Sequence, residues 1–110
     1  MRVATGTYTG DGQDSRAITG VGFQADVIFI QPTTSNAPVI KTSTMAGDTS
    51  LLGNSVLTAN HIQSIDVDWF TVGTDVKVNE NLQAMYWVAL KDNSAGDLKV
   101  GSYTGDGLDN

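Results

Sequence analysis

Turn-forming residues recur along the whole of this chain. Gly10-Asp11-Gly12, Gly20-Val21-Gly22, Pro32, Gly47, Gly53-Asn54, Gly73, Asn79-Glu80-Asn81 and the stretch from Asp92 to Gly96 punctuate its length. Glycine and asparagine tolerate positive φ, aspartate closes its own turns, and proline has no N–H for a ladder. Between these breaks lie short runs of Thr, Val, Ile and aromatic residues, at a spacing of about 8–12 residues. That vocabulary excludes a helical bundle or coiled coil. It predicts a small antiparallel β-sandwich, or a partly closed barrel, of eight or nine short strands.

The pattern places the strands. Residues 3–9 alternate with a period of two, Val3, Thr5, Thr7 and Thr9 against Ala4, Gly6 and Tyr8. Residues 16–19 form a short candidate. Residues 25–31 carry Val27-Ile28-Phe29-Ile30, a continuous apolar run expected where both faces of a strand are covered. Residues 38–44 open on Pro38, which suits an edge strand. Residues 45–60 fit either a short helix or two short strands, anchored by Leu51-Leu52 and Val56-Leu57. Residues 61–68 alternate and continue through Trp69-Phe70-Thr71-Val72 as strand. Asn79-Glu80-Asn81 reads as a hairpin turn before a second buried strand over 83–91, and the last strand is expected over 98–104.

With 110 residues the chain is expected to form one domain with one modest core. It has no cysteine, which removes disulfides, zinc–cysteine sites, iron–sulfur clusters and thiol nucleophiles. A single histidine, His61, removes multi-histidine metal sites. Net charge is −6, and Arg2, Arg16, Lys41, Lys77, Lys91 and Lys99 are scattered, so nucleic-acid partners are not expected. No apolar run reaches the roughly 18 residues of a membrane helix, and the opening Met-Arg-Val-Ala-Thr-Gly lacks the apolar core of a secretory signal.

No residues spell out a catalytic constellation. His61 has Asp66 and Asp68 nearby in sequence, but a triad also needs a presented nucleophile. It is expected to be a strand histidine on a surface or interface. Eleven Asp against one Glu raise the question of calcium. Yet Asp11 and Asp14, and likewise Asp106 and Asp109, lack the spacing and bidentate Glu of a calcium loop, so they read as turn formers. No metal or other cofactor is expected. The aromatics read mainly as core, with Trp69 and Trp87 the candidates for stacking on a glycan. Tyr86 and Trp87 must point to opposite faces of their strand, which leaves one of them open.

The two ends of the chain resemble each other. Residues 6–15 recur as residues 101–110, with seven identities in ten positions. Self-similarity at a fixed offset marks repeat arrays, so residues 6–100 are expected to be the repeat unit and 101–110 the start of a second copy or a strand-end twin. Arg2, Val3, Lys99 and Tyr103, on the two terminal segments, are the expected protein interface.

The runs Gly6-Thr-Tyr-Thr-Gly-Asp-Gly12, Arg16-Ala-Ile-Thr-Gly-Val-Gly-Phe-Gln24 and Asp26-Val-Ile-Phe-Ile30, then Phe70-Thr-Val-Gly73, Asn79 and Tyr86-Trp-Val-Ala-Leu90, resemble a repeat domain of phage tail-fibre and minor virion structural proteins. The resemblance spans nearly the whole chain. Ala25 stands where that family favours Pro, Trp69 where it favours Gly, and Gln31 where it favours Lys, changes expected to loosen a turn or alter a surface. The resemblance implies a non-enzymatic virion structural protein, a capsid decoration (cement) or minor component that binds other virion proteins on the particle exterior. A receptor- or glycan-binding module of a tail fibre is the alternative. It also implies a homo-oligomer, with three-fold symmetry expected by analogy.

Overall fold

A computed structural model describes residues 1–52, 57–94 and 96–109. The chain folds as a two-sheet, sandwich-like β globule without a closed barrel. The strands are β1 (Arg2–Thr9), β2 (Arg16–Ile18), β3 (Val27–Pro32), β4 (Val39–Thr42), β5 (Ser50–Leu52), β6 (Leu57–Thr58), β7 (Ile62–Ile65), β8 (Phe70–Val72) and β9 (Ala84–Lys91). One turn of helix, α1 (Val76–Asn79), precedes β9. No helix among the described residues is long and apolar enough to cross a membrane.

Six strands form one antiparallel sheet in the order β1-β9-β3-β4-β5-β6, and three form the other in the order β2-β8-β7. The core lies between them. Ile28, Ile30, Val39, Met85, Trp87 and Ala89 point inward from the large sheet, and Ile18, Ile62, Phe70 and Val72 meet them from the small one. Phe70 sits at the centre. Its ring is edge-on to Trp87 with centroids 5.6 Å apart, and to Tyr8 at 6.5 Å. Such edge-to-face pairs add to area burial because the positive ring edge meets the negative ring face.

Several elements depart from the sequence reading. Residues 61–72 are a hairpin rather than one strand. Asp66 turns the chain: its N–H donates to the Trp69 carbonyl at 2.8 Å, and its carboxylate accepts from the Ser64 and Thr71 hydroxyls, both at 2.9 Å. β4 is interior, flanked by β3 and β5, because Pro38 stops short of the ladder. Residues 76–82 do not close a hairpin, since β8 and β9 belong to different sheets; the Asp75 carboxylate caps the short helix through the Lys77 N–H instead. Residues 45–60 carry two short strands, β5 and β6, although Val56 lies outside the described residues. Residues 98–104 form no strand.

Two polar groups are buried with full sets of partners. The Lys41 ammonium, 3% exposed, donates to the carbonyls of Met45, Gly47 and Thr49 at 3.0, 2.8 and 2.5 Å. Burial lowers its pKa, opposed by the Asp48 charge. Asn79 is fully buried. Its amide donates to the Gln13 and Gly73 carbonyls and accepts from the Asp11 N–H and the Arg16 guanidinium, which ties the loop after β1 to the turn before β9.

Candidate interaction surface

The inward face of the large sheet is sealed by the core, whereas among the described residues no sheet or helix covers its outward face, which residues 101–103 pass at the β5–β6 end. Strand periodicity sends Phe29, Val88, Ile40 and Leu51 to that outward face. The registers join them: Thr5 pairs with Val88, Val88 with Phe29, Phe29 with Ile40, Ile40 with Leu51, and Leu51 with Leu57. Five apolar side chains thus form one row across β9, β3, β4, β5 and β6. Phe29 remains 42% exposed and Leu57 51%. Along the run Val27 to Ile30 the core covers Ile28 and Ile30 on the inner face, while on the outer face Val27 is buried and Phe29 is open. Its composition reads as two-sided because the outer face is apolar too, buried at Val27 and open to solvent at Phe29.

The next row toward the other end of β9 differs in chemistry. Tyr86, 57% exposed, pairs with Thr7 on one side and Gln31 on the other. Thr5, Thr7, Tyr86 and Val88 border a groove of about 420 Å³. An open aromatic ring flanked by hydroxyl and amide groups can stack on a flat apolar surface while its neighbours hydrogen-bond. A larger cavity, about 600 Å³, lies where the C-terminal segment passes β5 and β6, lined by Met45, Leu51, Leu57 and Tyr103 among others.

The residues singled out from the sequence are dispersed over this structure. Arg2 holds its guanidinium over the Phe23 ring, 4.7 Å from the centroid. Val3 is exposed on the outward face of β1. Lys99 and Tyr103 lie on the C-terminal segment, and Tyr103 is 94% exposed beside the far edge of the sheet from β1. Trp69 is partly exposed in the β7–β8 turn of the small sheet. Trp87 is buried, with its ring packed under Gly6, where any Cβ would come within 2.5 Å. Stacking on a glycan is closed to it; of the pair Tyr86 and Trp87, Tyr86 is the open one. The sequence pattern announced that alternation without its sign.

His61 is buried rather than on a surface. Its Nδ1 lies 2.7 Å from the Ala59 carbonyl and 3.2 Å from the Thr58 hydroxyl, and its Nε2 lies 3.3 Å from Asp75. The last contact has ion-pair distance but not hydrogen-bond alignment. The carboxylate it meets is neither Asp66 nor Asp68; Asp75 also caps α1, so the pair packs the small sheet against that turn. Asp11 accepts from the Gln13 N–H at 2.9 Å, and Asp106 accepts from the Leu108 N–H at 2.9 Å. Both carboxylates act as turn formers.

The fold and surface define a small two-sheet β module with one open, apolar, strand-paired face. Comparisons with family models, curated proteins and solved structures find no match to the chain.

Proposed function

We propose that this chain is a non-enzymatic virion structural protein, a capsid decoration or minor component, which binds other virion proteins through the outward face of its six-stranded sheet. The observation that carries this reading is the row Val88–Phe29–Ile40–Leu51–Leu57, apolar across five paired strands, exposed at Phe29 and Leu57 and half-buried at the other three. Rigid sheet faces of this kind bury apolar area on contact without an ordering cost in the backbone. The phage repeat-domain resemblance supplies the virion context. Mass spectrometry of purified particles tests that context, and absence of the chain would sink it. Phe29→Glu tests the face: the variant keeps its fold, because Phe29 points away from the core, and loses incorporation into particles. Sedimentation of the free chain checks the expected homo-oligomer, for which a trimer is the proposed state.

A second reading, a tail-fibre glycan- or receptor-binding module, draws on Tyr86 between Thr7 and Gln31. It predicts glycan-array signals that Tyr86→Ala abolishes and Phe29→Glu leaves in place. Silence of the wild-type chain on such an array removes it.

A further inference from the structure

Residues 101–105 repeat the features that seat the second half of β1 beside β9. Gly101 follows Gly6 by 95 residues, and the same offset relates Asp97 to Arg2 and Thr104 to Thr9. In β1 the inward positions are Ala4, Gly6 and Tyr8. Gly6 is required under the Trp87 ring, and the Tyr8 hydroxyl donates to the Val78 carbonyl at 2.6 Å. The outward Thr7 hydroxyl donates to the Met85 carbonyl. Past the strand, Gly10 is pressed against the Glu80 carbonyl, with which a Cβ would collide. The C-terminal segment carries Gly101, Tyr103, a hydroxyl at Ser102, and Gly105 at the corresponding positions. In its present place neither glycine is required, since a Cβ on Gly101 or Gly105 would meet nothing within 4 Å. Steric demands absent where the segment lies are satisfied in advance for another location.

The connection suits that location. β1 and β9 pair Arg2 with Lys91 and Thr9 with Ala84. The offset sets Asp97 opposite Lys91 and Thr104 opposite Ala84, with residues 92–96 as the loop. Five residues is an ordinary hairpin length. On either side of residue 95 the Gly96 N–H donates to the Asp92 carboxylate, and Ser94 and Gly96 have positive φ. Asp97 already touches the Met1 amine, one residue from the start of β1.

We propose that the edge of β9 is an exchange site, in which residues 97–104 of the same chain take the position of β1 as the second strand of a β9 hairpin and release residues 1–9. β1 is the favoured occupant. Its half-buried Ala4 becomes Lys99 in the alternative, and the Arg2–Phe23 stack is lost to Asp97. The exchanged form is therefore the minor one, sampled as the strand opens.

Disulfide trapping reads a minor form directly, and the chain has no cysteine of its own to interfere. Ala84→Cys with Thr9→Cys is the control, expected to close within the monomer. Ala84→Cys with Thr104→Cys is expected to close within the monomer too, more slowly, and severalfold faster once Lys99→Ala is added. Tyr103→Ala, which removes the ring that would fill the Tyr8 site, slows it. If the Ala84→Cys, Thr104→Cys variant forms no disulfide under conditions that close the control, the proposal is overturned. So it is by a bond found only between molecules, which would assign the segment to a second copy.

Discussion

Residues 6–12 and 101–107 differ only at Thr7 and Ser102, yet one heptapeptide is strand and turn and the other is exposed and outside any sheet. Part of their structure is nevertheless the same. In both, the aspartate accepts from the N–H two residues on at 2.9 Å, and the following glycine has positive φ, 71° at Gly12 and 73° at Gly107. The turn is thus local chemistry, present without tertiary help. The strand is not local. Thr5 reaches Val88, Tyr8 reaches Val78 and Phe70, and Gly10 reaches Glu80, contacts available to one copy at a time. Sequence determines the bend, and the partner surface determines whether the flanking residues become sheet.

Matched substitutions in the two copies sharpen that contrast. The largest effect is expected at tyrosine. Tyr103→Ala alone shifts stability by less than about 0.5 kcal/mol, as for an exposed side chain. Adding Tyr8→Ala, so that no tyrosine remains for the site, costs about 3 kcal/mol by urea unfolding, through the emptied space beside Phe70. Equal stability of the Tyr103→Ala variant and the Tyr8→Ala, Tyr103→Ala double variant would break the comparison.

Next come the glycines. In the Tyr103→Ala background Gly10→Ala is expected to cost about 2 kcal/mol or more, because the Glu80 backbone must retreat, while Gly105→Ala is neutral. A thermal melt of each variant decides it.

The third effect depends on alkali. Burial raises the Tyr8 pKa well above its ordinary 10.0, with the Arg16 charge opposing. The folded state holds the phenol proton more tightly, so this contribution is complete below pH 10.0 and is lost as pH rises further. Tyr8→Phe is expected to flatten the alkaline limb of the stability curve and to cost about 1 kcal/mol at neutral pH.

The smallest effect is at the acid end. The Gln13 N–H, with help from the Arg16 charge and Asn79, holds the Asp11 carboxyl below its ordinary 3.8. Its stabilisation is present above pH 3.8 and fades as pH falls through the lowered value. Asp11→Asn should trim that limb slightly in an acid titration of stability.

The sequence made the two-sheet β architecture legible because turn chemistry is local: the Asp11 and Asp106 turns, the stops at Gly73 and Pro32, and the alternation in β1 and β9 all read directly. It could not reveal which strands meet. Residues 61–72 alternate well enough for one strand, and only the Asp66 tie to Ser64 and Thr71 shows the fold back. The open sheet face was hidden for a related reason. Phe29, Ile40 and Val88 share one row only through register, and an apolar residue facing solvent is written with the same letter as one facing the core. The burial of Lys41 and Asn79 was not legible, since a lysine capping the loop just after its own strand, and an asparagine joining Gln13, Asp11 and Arg16 to Gly73, are defined by the folded loops.

The β1–β9 ladder also joins the two ends of the chain, residue 5 to residue 88. Closing it requires nearly the entire polypeptide, and loop-closure entropy makes such pairings late. A newly emerging or refolding chain would hold the interior strands β3 to β5 first and add β1 last. Until then the Trp87 face is bare, and the segment nearest in sequence to cover it is the one that follows β9. Refolding monitored by tryptophan fluorescence should therefore show an early phase insensitive to Gly6→Val and a late phase that this substitution slows.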